Sequence, residues 1–544
     1  MVHRGGPILI LAGAGSGKTR VLTHRIAHLV GAGAAFGGCD AWSILAVTFT
    51  NKAAGEMKAR VAKLLDRPMR GHGPSGVEGL WIGTFHSICA RMLRKDGHRL
   101  GFGRDFTIYD EDDKKSLVRR IMAELAVPER KVPAKAVISR ISGAKDNLFG
   151  PARYQSTAYD PFEKDVARVY ARYQEALLAS QAMDFDDLIF NAVRLLREHP
   201  AVKDEYGGRF KQILVDEYQD TNHAQYTLIK LLSEYHRNLC VVGDDDQSIY
   251  GFRGADIKNI LDFENDFPDA KVVRLEQNYR STKVILDCAN AVVKNNLGRK
   301  RKKLWTENNK GDVVTLWRAW DERDEADKVS RAVKQHGGEG SLKDCVVLYR
   351  TNAQSRALEE AMRRQSVPYV IVGGLRFYER KEIKDLLSYL KVIANPADGV
   401  SLRRIINEPP RGIGDATVLR LDVFAQERGF TLYDALRQSE EASPSAPGLS
   451  RAEPRGLTPS AKAAIRAFTH MIDGLIKERL TFNAEEILKE VIQQTGFVKS
   501  LETQYALTDE AISRVENVQE LLSAADEFCE RSEDKTVSAF LAEV

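Results

Sequence analysis

The chain has 544 residues, which is too long for a single hydrophobic core and predicts several domains. Its composition is 43% hydrophobic and 29% charged, which excludes a largely disordered protein. The 80 basic and 76 acidic residues leave a formal net charge of only +4, so a nucleic-acid partner would have to be held by local patches rather than by a global positive field.

Membrane and disulfide signals are missing from the sequence. No apolar stretch approaches the roughly 18 residues that a membrane span needs, and no secretory hydrophobic region stands at the N-terminus. The six cysteines are scattered and form no CxxC pair. We therefore expect a cytoplasmic protein with buried free thiols and no membrane partner.

Short apolar runs that end in polar or glycine-rich turns recur through the first 280 residues. Such runs are typical of strands buried on both faces of a parallel sheet. They lie at residues 8–11, 44–48, 80–83, 213–215, 239–242 and 272–275. Helical periodicity fills the gaps, as in the apolar stripe of Leu22, Ile26 and Leu29. The alternation predicts an α/β fold with a doubly wound sheet.

The strand–helix alternation is interrupted twice. Residues 89–207 have a helical, highly charged pattern, which indicates an inserted helical unit. Strand-like runs return at 313–316, 346–349 and 369–372 and predict a second α/β unit. From about residue 375 the pattern is mostly helical again, apart from a segment rich in Pro, Ser and Gly at 442–460 that we predict to be a flexible loop.

A glycine-rich loop, AGAGSGKT, follows the first predicted strand and precedes a helix. Its backbone N–H groups and the helix N-terminus are suited to bind phosphate oxygens. Lys18 would reach the β- and γ-phosphates, and the Thr19 hydroxyl would bind Mg²⁺. Ala12 stands where the general pattern has glycine. The predicted phosphate-binding residues are Ala12, Gly13, Ala14, Gly15, Ser16, Gly17, Lys18 and Thr19.

Two carboxylates, Asp216 and Glu217, follow the predicted strand at 213–215. Ligands bind at the carboxyl ends of strands in sheets of this kind. We expect Asp216 to hold the metal ion through its water shell and Glu217 to polarise the attacking water in phosphoryl transfer.

These segments resemble the superfamily 1 DNA helicases of the UvrD, PcrA and Rep type. The resemblance covers residues 8–415, in the order of the family's motifs. The matching segments are AGAGSGKT (12–19), TFTNKAAGEM (48–57), GTFHS (83–87), DFDDL (184–188), VDEYQD (215–220), VVGDDDQSIYGFRGA (241–255), LEQNYRST (275–282), VLYRTNAQSR (347–356), GGLRFYERKEIKD (373–385) and RGIG (411–414).

The resemblance implies an ATP site with further contributors. It assigns Gln247 as the sensor of the γ-phosphate and Arg280 as an arginine finger supplied by the second α/β unit. It assigns Tyr279 to stacking on the adenine ring. ATP and Mg²⁺ are the implied cofactors.

The resemblance also implies binding of single-stranded DNA and of junctions between single and double strands. Aromatic side chains on which bases stack suit binding that does not depend on sequence. The matching positions are Phe49, Phe185, Tyr250 and Phe252, with His86 and Arg253 nearby for backbone contacts. Core packing is the alternative for each aromatic side chain, and Phe252 replaces the tryptophan common in the family.

Two further segments carry weaker signals. The basic run RKRKK at 299–303 could bind phosphate, but a solvated run of charges is the interpretation we favour. Residues 412–414, Gly-Ile-Gly, resemble the family's duplex-contacting hairpin, with a plain helix-capping turn as the alternative.

The implied architecture has two RecA-like domains, each with an inserted helical subdomain. Residues 1–88 and 208–275 would form the first RecA-like domain, with 89–207 inserted; residues 276–373 would form the first part of the second, followed by the insertion 374–544. The family's glutamine motif before the phosphate loop and its final motifs are not found. We therefore expect the chain to be truncated before those final motifs.

The resulting hypothesis is an ATP-dependent 3′-to-5′ translocase and helicase that acts in repair or replication, together with repair proteins that the sequence does not identify. One alternative is a fragment that binds ATP and single-stranded DNA but unwinds little. The other is the helicase part of a helicase–nuclease.

Overall fold

The computed structural model describes residues 5–31, 38–65, 79–296, 298–300, 302–337, 342–372, 377–439, 454, 456–505, 508–532 and 534–544. Residues 373–376, which begin the segment GGLRFYERKEIKD, lie outside these ranges, and so does most of the predicted loop at 442–460. No helix in the described part of the chain is long and apolar enough to cross a membrane. The six cysteines, all within the described ranges, form no disulfide, but Cys288 and Cys345 are exposed rather than buried as predicted.

Six parallel strands form the central sheet, as the apolar runs predict. Their order across the sheet is β3-β2-β6-β7-β1-β8, and every neighbouring pair is parallel. The bounds are β1 Ile8–Ala12, β2 Ile44–Thr48, β3 Trp81–Thr84, β6 Gln212–Val215, β7 Leu239–Gly243 and β8 Lys271–Leu275. The prediction of an α/β fold is therefore confirmed.

Side chains of successive strand residues enter two different cores, because they point to opposite faces of the sheet. In β1, Leu9 and Leu11 join one cluster of buried residues, whereas Ile8 and Ile10 join the other. Helices cover both faces, as a parallel sheet requires. The helices of this region are α1 Lys18–Gly31, α2 Asn51–Leu65, α3 Phe85–Asp96, α10 His223–Ser233, α11 Lys258–Leu261 and α12 Phe263–Asp266.

A helical unit is inserted between β3 and β6. It contains α4 Glu111–Glu124, α5 Ala134–Asp146, α6 Pro151–Thr157, α7 Pro161–Ala179, α8 Phe185–Glu198 and α9 Pro200–Arg209. Two short strands, β4 Thr107–Tyr109 and β5 Ala182–Asp184, form a parallel ladder; β4 precedes α4 and β5 follows α7. The unit has its own core, centred on the fully buried rings of Tyr170 and Tyr173.

The region after β8 differs from the prediction. It contains α13 Lys283–Val293, α14 Glu322–His336 and α15 Ser355–Arg364. The predicted strands at 313–316, 346–349 and 369–372 are not formed. A strand needs a hydrogen-bonded neighbour, and the described residues offer these segments none. Their apolar side chains, such as Leu316, Leu348 and Val372, therefore stay exposed.

A second helical unit follows, as predicted. It contains α16 Lys381–Ala394, α17 Gly399–Ile405, α18 Asp415–Arg428, α19 Leu432–Gln438, α20 Pro459–Glu478, α21 Ala484–Thr495, α22 Phe497–Gln504, α23 Asp509–Arg531 and α24 Val537–Glu543. Nearly every residue of α16 in its middle turns is buried, so this helix forms the centre of the unit's core.

Buried polar contacts join the two helical units. The Tyr109 hydroxyl donates to Asp398 Oδ1 over 2.7 Å, and Asn395 Nδ2 donates to Thr107 Oγ1 over 3.0 Å. Lys391 Nζ lies 2.8 Å from Asp113 Oδ2. Because these groups are buried, each depends on its partner from the other unit for its hydrogen bonds.

A cluster of charged side chains is buried inside the first helical unit. Lys145 Nζ lies 2.7 Å from Asp184 Oδ2 and 2.9 Å from Asp187 Oδ1, and the Lys145 side chain is fully buried. Lys114 Nζ lies 2.7 Å from Asp186 Oδ2. Burial raises the pKa of Asp187 to about 7, and its neighbour Asp184 adds to the rise.

Replacing Lys145 should destabilise the protein strongly. Lys145→Met leaves Asp184 and Asp187 buried without their shared cation, which costs about 3–5 kcal/mol in comparable sites. We expect a lower midpoint in urea unfolding, followed by circular dichroism. Lys115→Met, at an exposed position in the same unit, should change stability by less than about 0.5 kcal/mol. Equal effects of the two substitutions would contradict the importance of the buried cluster.

Asp146 should make stability depend on pH. Burial and then Asp186 raise the pKa of Asp146 to about 7, whereas an unfolded aspartate titrates near about 4. The folded protein therefore binds the extra proton, so this carboxyl group lowers stability progressively as the pH rises from about 4 to about 7.

The substitution Asp146→Asn removes this charge and keeps an oxygen that can accept from Asn222 Nδ2, which lies 2.6 Å from Asp146 Oδ1. We expect the melting temperature of the variant, relative to that of the unchanged protein, to increase between pH 5 and pH 8. Asp204→Asn, at an exposed position, should give no such trend. A constant difference between Asp146→Asn and the unchanged protein across this range would refute the assigned pKa.

Candidate functional site

The carboxyl ends of all six strands meet at one edge of the sheet, because every neighbouring pair is parallel. β1 and β8 lie side by side, with β7 and β6 next in order. The segments that leave these four strands are the glycine-rich loop, the segment 276–282, the acidic segment 244–247 and the pair Asp216–Glu217. The topology thus brings together residues far apart in sequence, such as Asn278 and Ala14, which are hydrogen-bonded although 264 positions separate them.

The phosphate loop is built by backbone conformations that favour glycine. Gly15 and Gly17 have φ angles of +67° and +93°. The Ser16 hydroxyl donates to the Gly13 carbonyl over 2.7 Å and closes the turn. Ala12 is the last residue of β1 and is fully buried, which is why a small side chain suffices there. Helix α1 begins at Lys18, so its first N–H groups face the loop.

Lys18 lies at the centre of a polar network. Its Nζ donates to Glu217 Oε2 over 2.8 Å and to Gln247 Oε1 over 3.3 Å. These three residues come from the ends of three different strands. The sequence-predicted phosphate ligand, water activator and sensor are therefore in direct contact.

Thr19 and Asp216 form an oxygen-lined pair beside Lys18. The Thr19 hydroxyl lies 3.4 Å from Asp216 Oδ2. Burial raises the pKa of Asp216 to about 6, and the neighbouring Glu217 carboxylate adds to the rise. A hydroxyl beside a buried carboxylate suits a hard divalent ion such as Mg²⁺.

Gln219 connects the acidic pair to the sensor segment, a role that was not predicted from the sequence. Its Nε2 donates to Glu217 Oε2 over 3.0 Å, and its Oε1 accepts from the Asp244 backbone N–H over 2.9 Å. Glu217 has a φ angle of +49°, which is unusual for a residue with a side chain. A Cβ at Gly243 would lie 2.6 Å from Gln219 Oε1, so glycine leaves room for this bridge.

The segment after β8 packs against the phosphate loop. Tyr279 N–H donates to the Gly15 carbonyl over 3.0 Å, and Asn278 Nδ2 donates to the Ala14 carbonyl over 2.6 Å. Asn278 Oδ1 accepts from the backbone N–H of Arg280 over 2.8 Å. A Cβ placed on Gly15 would lie 2.8 Å from Arg280 Cβ. The Arg280 and Tyr279 side chains are exposed beside the loop.

The interpretation of 299–303 as a solvated charge run is wrong for Arg299, Lys300 and Lys302, which pair with carboxylates, whereas Lys303 is exposed. Lys302 Nζ lies 2.7 Å from Asp244 Oδ1 and 3.1 Å from Asp246 Oδ2, and it also contacts Asp245. Only 3% of the Lys302 side chain is exposed. The acidic segment that follows β7 attracts the run, since three successive carboxylates have oxygens within 4.8 Å of one another.

One group of predicted DNA-binding residues lies together on the surface after β7. The rings of Tyr250 and Phe252 are 6.1 Å apart, and the Arg253 guanidinium lies 5.7 Å from each ring centroid. Phe252 is 74% exposed. Core packing is therefore excluded as the role of Phe252, and a flat cationic and aromatic surface is available to a ligand.

The other predicted DNA-binding residues are more enclosed. Phe185 is half exposed at the start of α8 and contacts the His86 ring edge-on, with ring centroids 5.6 Å apart. Burial lowers the pKa of His86, so its imidazole favours the neutral form. Phe49 packs edge-on against the buried Phe85, also at 5.6 Å. Phe49 thus contributes to the core as well as to the surface.

Hydrogen bonds of the preceding residue, Arg411, fix the position of the Gly-Ile-Gly turn at 412–414. Arg411 donates to the carbonyls of Ile405 and Ile406 and to the Tyr389 hydroxyl. Ile413 is buried, and a Cβ at Gly412 would meet nothing within 4 Å. The turn therefore presents an open backbone surface on a fixed support.

Known helicase families match the chain along almost its whole length. The family described as the UvrD/REP helicase N-terminal domain matches residues 1–268. The family described as the UvrD-like helicase C-terminal domain matches residues 273–544.

Two curated relatives are similar over the same span. The ATP-dependent DNA helicase PcrA of Staphylococcus aureus strain Mu50 is 45% identical over 542 residues, which is 99% of this chain and 70% of the relative. The protein of the same name from Staphylococcus epidermidis strain ATCC 12228 is 44% identical over 542 residues, which is 99% of this chain and 71% of the relative. With the phosphate loop, acidic pair and sensor in one network, the chain belongs to the UvrD/REP helicase family.

Proposed function

We propose that the chain is an ATP-dependent DNA helicase, a 3′-to-5′ translocase on single-stranded DNA that unwinds duplexes in repair or replication. The observation that carries the proposal is the contact of Lys18 with both Glu217 and Gln247 at the edge of the sheet. The relatives named ATP-dependent DNA helicase support the same activity.

The nucleotide would lie against the phosphate loop. Backbone N–H groups from Gly13 to Thr19 would bind its phosphates, with Lys18 at the β- and γ-phosphates. The exposed Tyr279 ring would stack on the adenine. Thr19 and Asp216 would hold Mg²⁺, which would screen the phosphate charge.

Hydrolysis requires the Lys18 network to rearrange. The Lys18 ammonium is paired with Glu217, so this carboxylate is engaged in an ion pair. A bound triphosphate would attract Lys18 and leave Glu217 able to accept a proton from the attacking water. Gln247 would release Lys18 from its Oε1 and donate an N–H of its Nε2 to a γ-phosphate oxygen, and Arg280 would stabilise the developing charge. Binding of ATP would thus assemble the catalytic arrangement.

DNA would bind on the surface formed by the aromatic side chains. Tyr250 and Phe252 would stack on bases, and Arg253 would contact the backbone. Phe185, Phe49 and His86 would extend this path on the side of the first helical unit. The Gly-Ile-Gly turn would approach the duplex part of a junction, since its glycines leave the backbone accessible.

Lys18→Ala should abolish ATP hydrolysis that is stimulated by single-stranded DNA. The substitution removes the ammonium that contacts the phosphates, and loss of one such group lowers turnover by about 10²- to 10³-fold. The measurement is the steady-state release of phosphate with and without an oligonucleotide. Lys58→Ala, an exposed residue of α2, is the matched control and should retain activity. Full activity of Lys18→Ala would refute the proposed ATP site.

Phe252→Ala should weaken binding of single-stranded DNA without changing nucleotide affinity. Stacking of one base contributes about 1–3 kcal/mol, which corresponds to a loss of about 5- to 150-fold in affinity. Fluorescence anisotropy of a labelled oligonucleotide measures this loss. Tyr235→Ala is the control, because Tyr235 is exposed but precedes β7 at the opposite edge of the sheet. Unchanged DNA affinity of Phe252→Ala would place the binding path elsewhere.

A further inference from the structure

A short segment, residues 302–305, contacts three parts of the nucleotide site. Lys302 contacts the acidic segment after β7. A Cβ on Gly13 of the phosphate loop would lie 2.1 Å from Leu304 Cδ2, which shows how closely Leu304 approaches the loop. The Trp305 carbonyl accepts from the Asn278 N–H over 2.7 Å. This segment therefore joins the phosphate loop, the sensor segment and the turn that bears Arg280.

Lys302 contacts all three carboxylates of the acidic segment and compensates part of their charge. The Asp244 and Asp245 carboxylates are buried, and three adjacent negative charges repel one another strongly in such an environment. Burial alone would lower the pKa of Lys302, but Asp244 and Asp245 raise it, so the ammonium stays charged. Arg299 assists from the surface by pairing with Asp246 over 2.5 Å. The Lys302 ammonium therefore lies between the three carboxylates.

The two oxygens of Asp244 have different partners. Oδ1 lies 2.7 Å from Lys302 Nζ, whereas Oδ2 accepts from Gln247 Nε2 over 2.5 Å. Gln247 Oε1 in turn accepts from Lys18 Nζ. The Gln247 amide is thereby fixed in one orientation: one hydrogen of its NH2 group is on Asp244, its oxygen accepts from Lys18, and the second NH2 hydrogen can donate to a phosphate oxygen. That orientation depends on an Asp244 carboxylate that is held in place.

We propose that Lys302 is a positioning residue, which acts through Asp244 to orient Gln247 for the response to the γ-phosphate. The inference rests on the proposed function, since it assigns Gln247 to the γ-phosphate. Without Lys302, the repulsion among the three carboxylates would move Asp244, and Gln247 would lose its fixed partner. Because Lys302 shares its segment with Leu304 and Trp305, movement of the Arg280 turn would also reach Gln247 through this contact.

The closing experiment compares the affinities for ADP and for a non-hydrolysable ATP analogue, each measured with a fluorescent derivative. The dissociation constant of ADP divided by that of the ATP analogue reports recognition of the γ-phosphate, and its measurement requires no turnover. Lys302→Met should reduce this ratio by about 10-fold, the usual effect of losing a hydrogen bond to a charged group, with little change in ADP affinity. Lys302→Arg should restore part of it, because it keeps the positive charge.

Two further variants separate positioning from folding. Asp245→Asn combined with Lys302→Met removes one repelling charge and should fold, yet still lack the discrimination. Lys300→Met, which removes only the exposed pair with Glu264, is the matched control and should behave as the unchanged protein. In a Gln247→Ala background, Lys302→Met should cause no further loss, because the path through Gln247 is already broken.

Additive losses from Gln247→Ala and Lys302→Met, or unchanged discrimination in Lys302→Met, would overturn the inference. Absence of DNA-stimulated ATP hydrolysis in the unchanged chain would instead count against the proposed function. The binding ratio would still test the role of Lys302 in that case, so the two failures are distinguishable.

Discussion

The parallel pairing of the six strands is the constraint on which the rest of the structure depends. Each strand must be hydrogen-bonded in the same direction as its neighbours, so all chain segments that leave the sheet at its carboxyl edge lie close together. Lys18, Glu217 and Gln247 meet for this reason alone. The apolar alternation that fills both faces of the sheet thus also determines where the polar residues of the site are placed.

Charge compensation organises the site. Lys18 pairs with Glu217, and Lys302 lies among Asp244, Asp245 and Asp246. Lys302 prevents the buried Asp244 and Asp245 carboxylates from being left unpaired, which would be costly, whereas Glu217 is partly exposed. The two ammonium groups differ in exposure to a ligand, since Lys18 faces the phosphate loop whereas Lys302 is enclosed. The first pair can therefore be exchanged for a phosphate contact, while the second forms a fixed support.

The region after β8 shows the effect of a missing strand neighbour. Its segments at 313–316, 346–349 and 369–372 have the composition of buried strands, yet they are exposed and irregular. Apolar, β-branched residues favour a strand only where a neighbouring strand supplies hydrogen bonds. The short segment 302–305, in contrast, packs on the loops of the sheet. Leu304 lies close to Gly13, and the Trp305 carbonyl accepts from the Asn278 N–H.

The strands of the sheet, the phosphate loop and the acidic pair could all be predicted from the sequence, because each is encoded by a local pattern of a few residues. The sequence also indicated Gln247 and Arg280 through family motifs. Only the tertiary structure decided the partners of Gln219, Asn278 and Lys302, since each contact joins positions far apart in the chain. A basic run has no preferred partner until folding brings carboxylates to it. For this reason Lys302 was predicted to be solvated and is instead buried beside the sensor.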